Sequence, residues 1–179
     1  MSDEPQQEEP RVLAAQMGRP LRGRSRIARR CPLELPVVIR THPVLPSGAP
    51  FPTLYYLTCP LARTRISRLE HEGGVRAFQE RAEREPDFAR ALDAAHAAYA
   101  AERAAALAPD DPALPRLRGG VGGTVGGVKC LHMHYAHHAG GGANPVGAEV
   151  AAAIEPLDCS VPCVVDGARN PAWREPRAP

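Results

Sequence analysis

Aromatic residues make up only 4% of the 179-residue chain, with one tryptophan, and a single lysine, Lys129, stands among 22 basic residues. Much of the 44% hydrophobic fraction is alanine. A core built from such material is modest and largely helical. No apolar run approaches the roughly 20 residues that span a bilayer, and no basic segment precedes an apolar stretch of the signal-peptide kind. A cytoplasmic protein without a membrane span is therefore expected. Paired CxxC knuckles, HExxH, GxGxxG and the GxxxxGK[ST] frame are all missing, which removes the usual zinc-knuckle, metalloprotease, dinucleotide and P-loop readings. Net charge is only +2, so a globally basic nucleic-acid binder is excluded. Five cysteines, an odd number without an export signal, fit reduced thiols or metal ligands better than a disulfide framework.

What charge there is lies unevenly. Residues 1–10 are acidic and glutamine-rich, and Arg19 to Arg30 carries six arginines without an acid. Residues 1–30 lack hydrophobic periodicity and read as a disordered arm. No aromatics interleave with its arginines for base stacking, and a solvated tail is the expected role. Residues 31–165 read as one globular domain, and 166–179 as a flexible tail. Prolines exclude helix from Cys31 to Pro52. Leu35–Arg40 and Thr53–Leu57 predict a small hairpin, the first strand at an edge because of Pro36. Thr58 predicts a helix N-cap, with Cys59 and Pro60 in the first turn and a stop at Gly73-Gly74. Helices follow over Val75–Arg84, Asp87 to about Leu107, Val128–Ala139 and Val146–Ile154. The glycine-rich stretch Gly119–Gly127 predicts a flexible connector or lid. The expected fold is thus mainly α with a small β-hairpin, a compact helical α+β domain.

The stretch Val128-Lys-Cys-Leu-His-Met-His-Tyr-Ala-His-His138 concentrates one cysteine and four of the chain's seven histidines. Cysteine and histidine are the side chains best suited to zinc and other borderline-soft metals. As a helix, 100° per residue places Cys130, His134 and His137 in one arc, with His138 at its margin and His132 elsewhere. As an extended segment, Cys130, His132 and His134 share a face. A fourth donor must come from Cys31, Cys59, Cys159 or Cys163. The bland alternative is that Cys130 is a small buried residue and the histidines cap carbonyls or face solvent. Cys59, in the first turn of a helix, is also a candidate catalytic nucleophile, because the positive helix end favours thiolate. His134 or His137 would be its base.

Three blocks resemble a bacterial family catalogued as domain of unknown function 501. They are Phe51-Pro-Thr-Leu-Tyr-Tyr-Leu-Thr-Cys-Pro60 running into Ser67-Arg-Leu-Glu70, Val128-Lys-Cys-Leu-His132 with Ala136-His137, and Asn144-Pro-Val-Gly147 with the terminal Pro162-Cys163-Val164. The resemblance runs from about Cys31 to Val165 and supplies no biochemical activity. It points to Cys59, Cys130, His132, His137 and Cys163, with His134, His138 and Cys159 as local additions. If His132 is a partner, the start of its segment is a loop. The family's second cysteine after Cys31-Pro32 is Leu33 here, which weakens Cys31 as a ligand. Family genes neighbour a septum-formation initiator and an exopolyphosphatase, which implies cell-division or phosphate physiology as context.

The leading expectation is a metal site of Cys59, Cys130, His137 and Cys163, with His132 as substitute or supporting partner. Zinc is the first metal expected, ahead of an iron–sulfur cluster, since the cysteines lack compact cluster spacing. Four protein ligands would make it structural, and three plus water would suit hydrolysis. The rival classes are a metal-free interaction module with a protein partner in cell division, and a thiol enzyme on Cys59.

Overall fold

The computed structural model describes residues 4–176. Besides two short 3-10 helices (Leu114–Arg116 and Val121–Gly123), the described residues form, in chain order, α1 (Glu4–Met17), β1 (Ser25–Arg30), β2 (Pro36–Thr41), β3 (Tyr55–Leu57), α2 (Pro60–His71), α3 (Gly74–Arg84), α4 (Pro86–Ala104), α5 (Leu131–Ala139), α6 (Pro145–Ile154) and the two-residue strands β4 (Val164–Val165) and β5 (Ala168–Arg169). The expectation of a mainly helical chain with a small antiparallel β element holds. The predicted hairpin is present as β2 and β3, paired Val38↔Leu57 and Arg40↔Tyr55.

Residues 4–30, expected to form an unstructured arm, instead supply α1 and a third strand, while residues 1–3 lie outside the described residues. β1 pairs antiparallel with β2, Ile27 opposite Ile39, with a register irregularity between Ile27 and Arg30. The sheet order is β1-β2-β3, so β2 is central rather than an edge. Pro36 is tolerated because it is the first residue of the strand, where its missing N–H takes little from the ladder. Three of the arm's arginines are used within the molecule. Arg29 makes a two-pronged pair with Glu155 at 2.6 and 2.9 Å, Arg30 pairs with Glu9, and Arg19 donates to the Tyr56 hydroxyl at 3.2 Å.

Proline and glycine set the helix limits. Pro60 and Pro86 occupy the first helical positions of α2 and α4, where a lost N–H is harmless. Gly73, left-handed at φ 90°, turns α2 into α3. The sheet and α2, α4, α5 and α6 share one core, in which Leu54, Leu61, Ile66, Leu131 and Tyr135 are fully buried. Burying an aliphatic or aromatic side chain of this size contributes about 1.5–3 kcal/mol. α3 has no buried residue and leans on α4, with Phe78 stacked on Phe88.

The glycine-rich loop is pinned, not free. Arg103, 1% exposed, donates to the carbonyls of Gly119 at 2.5 Å, Pro52 at 3.0 Å and Leu117 at 3.3 Å. His96 holds the loop from the other side, accepting from the Val121 N–H at Nδ1 (3.0 Å) and donating from Nε2 to the Gly127 carbonyl (2.9 Å). The glycines are needed where Gly120 packs against the His96 ring with no room for a Cβ.

Candidate metal centre

The residues predicted to form one site occupy three places. The first joins α2 to the start of α5. The helix begins at Leu131, three residues later than the periodic pattern predicts, because Cys130 is extended (φ −158°) and takes the N-cap position. The segment start is thus a loop, as the resemblance implied, and the proposed arc of Cys130, His134 and His137 does not form. His132 projects toward α2, where Arg63, Ser67 and Glu70 follow one another along one helix face. Glu70 Oε1 lies 3.2 Å from His132 Nδ1, and Cys130 Sγ lies 3.7 Å from the same nitrogen. One ligand atom from each of Glu70, Cys130 and His132 falls within 4.8 Å of the other two.

Hydrogen bonds orient this group. His132 Nε2 lies 3.2 Å from the Arg63 carbonyl and 3.3 Å from the Ser67 hydroxyl, which hold the ring against α2. Nδ1 faces the Glu70 carboxylate and the Cys130 sulphur. Glu70 Oε1 also accepts the Leu131 N–H at 2.6 Å, fixing the carboxylate against the start of α5. Burial pushes the Cys130 thiol above its ordinary value and the Glu70 charge adds to this, against the lowering effect of the Met133 and His132 N–H groups. One N, one O and one S atom, each able to ligate a cation once deprotonated, therefore converge. Their side chains are half-buried, which leaves the group open on one side.

The second place is the buried face of α5. His134 and His137 are each 1% exposed, and Asn144 Nδ2 donates to both Nδ1 atoms, at 3.1 and 3.2 Å. Asn144 Oδ1 in turn accepts from the Gly147 N–H at 2.8 Å and caps α6. Burial holds both imidazoles neutral, lowering each pKa to about 4. His137 stacks on Tyr55 and meets Tyr99 edge-on. His137 is not brought together with Cys130, and its Nδ1 is already engaged.

The third place gathers Cys59 and Cys163 with Cys31 and Cys159 in a small pocket below α2. The helix-end effect expected to favour a Cys59 thiolate is outweighed. Cys59 is 6% exposed, and burial pushes its thiol up to about 12 despite the Leu61 and Ala62 N–H groups. His134 and His137, tied to Asn144, are not bases for it. A cleft of about 320 Å³ between the former arm and β3, lined by Arg19, Arg22, His42, Phe51 and Tyr56, contains none of the predicted site residues.

Two participants escaped the sequence reading. Glu70 stands in one of the blocks that carry the resemblance, but nothing local marks it as a ligand. Asn144, which stands in another of those blocks, is the partner of both buried histidines.

Fold and site together define an α+β protein with a candidate Cys/His/Glu metal centre, and no helix among the described residues is long and apolar enough to cross a membrane. Residues 27–152 match the family described as protein of unknown function (DUF501), more than half of the chain, and the chain belongs to that family. The matched stretch contains Glu70, Cys130 and His132. No curated protein and no solved structure matches the chain.

Proposed function

We propose that this protein binds zinc through Glu70, Cys130 and His132, with the fourth position open to water or an incoming ligand. The observation that carries the reading is the convergence of a thiol, an imidazole nitrogen and a carboxylate within 4.8 Å. The donors suit the metal, since zinc takes N, O and S ligands and its open sites use three protein ligands. The Arg63 carbonyl on His132 Nε2 and the Leu131 N–H on Glu70 are the outer contacts that fix ring and carboxylate in a working site. Zinc held in this way lowers the pKa of bound water to about 7, which is the chemistry a hydrolytic role draws on. A half-buried ligand thiol stays reduced in the cytoplasm, which is where the protein is placed by this reading.

A metal-free role as a partner-binding module of cell division is the second reading. Its metal-free part is supported by the Leu131 N–H bond to Glu70, which a purely structural helix cap would also make. Elemental analysis of tag-free protein separates the two. Cys130→Ser and His132→Ala should each remove one equivalent of zinc, and unchanged metal content in both variants would reject the site.

A further inference from the structure

Four of the five cysteines, Cys31, Cys59, Cys159 and Cys163, line one pocket although they come from distant stretches of chain. Cys31 follows β1, Cys59 is the N-cap of α2, and the other two lie in the tail between α6 and β4. The remaining lining is largely aliphatic, and the cavity measures about 10 Å³. A single water needs about 10–15 Å³ of such space, so an organic substrate is excluded while one ion fits.

The groups around the sulphurs point the same way. Trp173 Nε1 donates to Cys159 Sγ at 3.4 Å, and Gln16 Nε2 donates to Cys163 Sγ at 3.6 Å. The backbone N–H groups of Leu61 and Ala62 reach Cys59. A neutral thiol is a weak acceptor, whereas N–H donors aimed at sulphur are the usual outer contacts of metal-bound thiolate. Gln16 is itself only 2% exposed, lines the pocket, and its Oε1 has no hydrogen-bond partner among the described residues.

We infer that Cys31, Cys59, Cys159 and Cys163 form a second, all-sulphur zinc site that latches the C-terminal tail to the N-terminal α1–β1 segment and to α2. The step is an exchange without redox change: four S–H bonds break, four Zn–S bonds form and four protons leave to solvent. Among the described residues no three of these sulphurs stand within 4.8 Å of one another, so the sulphurs draw together when the ion binds. The latch explains the tail. Its only regular structure among the described residues is the two-residue β4–β5 pair, which rests on α1. A metal clip that closes long loops stabilises such a segment.

The inference is independent of the Glu70–Cys130–His132 reading and is tested with that site removed. The full-length Cys130→Ser protein is titrated with cadmium, and sulphur-to-cadmium charge-transfer absorption is followed in the ultraviolet. The expected result is a band that saturates at one equivalent with the intensity of four thiolates. Cys159→Ser and Cys163→Ser, added singly, should weaken binding by more than the roughly 10- to 100-fold that loss of an outer contact costs. No charge-transfer band in the Cys130→Ser protein, whose pocket is untouched, would overturn the inference. So would mass spectrometry showing these cysteines paired as disulfides in freshly purified protein.

Discussion

Asn144→Ala removes three hydrogen bonds made by one side chain: the cap on the Gly147 N–H and the donations to Nδ1 of His134 and His137. Loss of an N-cap costs about 1 kcal/mol. Each imidazole is left with an unpartnered acceptor in a site 1% exposed, and a buried unsatisfied group costs about 1–3 kcal/mol. The combined loss is therefore about 3–7 kcal/mol. For a chain of this length each kcal/mol corresponds to about 2–4 °C, so the melting temperature should fall by at least about 6 °C and by as much as about 28 °C. Asn144→Asp keeps the cap acceptor but has no N–H for the rings, so it should fall between wild type and Asn144→Ala at pH 7. Urea unfolding of the three proteins measures the order directly. If Asn144→Ala loses less than about 1.5 kcal/mol, the side chain is only a cap, and the account of the histidine pair is refuted.

Burial lowers the His137 pKa from its ordinary 6.5 to about 4. The unfolded chain then binds a proton that the folded chain refuses, so stability should fall from pH 6.5 toward pH 4, by roughly 3 kcal/mol for this ring. Urea midpoints at pH 7 and pH 5 check this, and equal stabilities would contradict it. Gly147→Ala should unfold the α5–α6 contact, because the added Cβ meets the His134 carbonyl and the His138 side chain. A loss of several kcal/mol by thermal melting is expected, whereas Gly126→Ala, whose Cβ meets nothing within 4 Å, should cost far less through its positive φ alone. Cys59 should react with iodoacetamide at pH 7 more slowly than free cysteine, because its thiol is buried and pushed up to about 12. Rapid alkylation would restore the thiol-enzyme reading.

The helices were legible where punctuation is strong. Pro60, Gly73, Pro86 and Gly140 mark element ends by backbone chemistry that tertiary contacts do not override. β1 was not legible, since Ser25–Arg30 holds one large apolar residue, Ile27, and is a strand only because β2 offers it a partner. The same holds for α1, whose inward residues Val12, Leu13 and Gln16 make a short stripe in a charged segment. In the site, composition singled out Cys130 and the histidines but not their division. The delayed start of α5 turned His132 outward and left His134 and His137 facing Asn144. Glu70, on another helix, and the four-cysteine pocket depend on contacts between distant segments, which local periodicity does not encode.

The central claim rests on Glu70, Cys130 and His132 acting together on one ion. Its most direct test is zinc per chain in tag-free, chelator-free wild type measured beside Cys130→Ser, His132→Ala and Glu70→Gln. The account predicts that Cys130→Ser and His132→Ala each lose one equivalent, and that Glu70→Gln, which keeps the amide oxygen as acceptor for the Leu131 N–H, binds that equivalent more weakly. Wild type and all three variants carrying the same amount of zinc would contradict it.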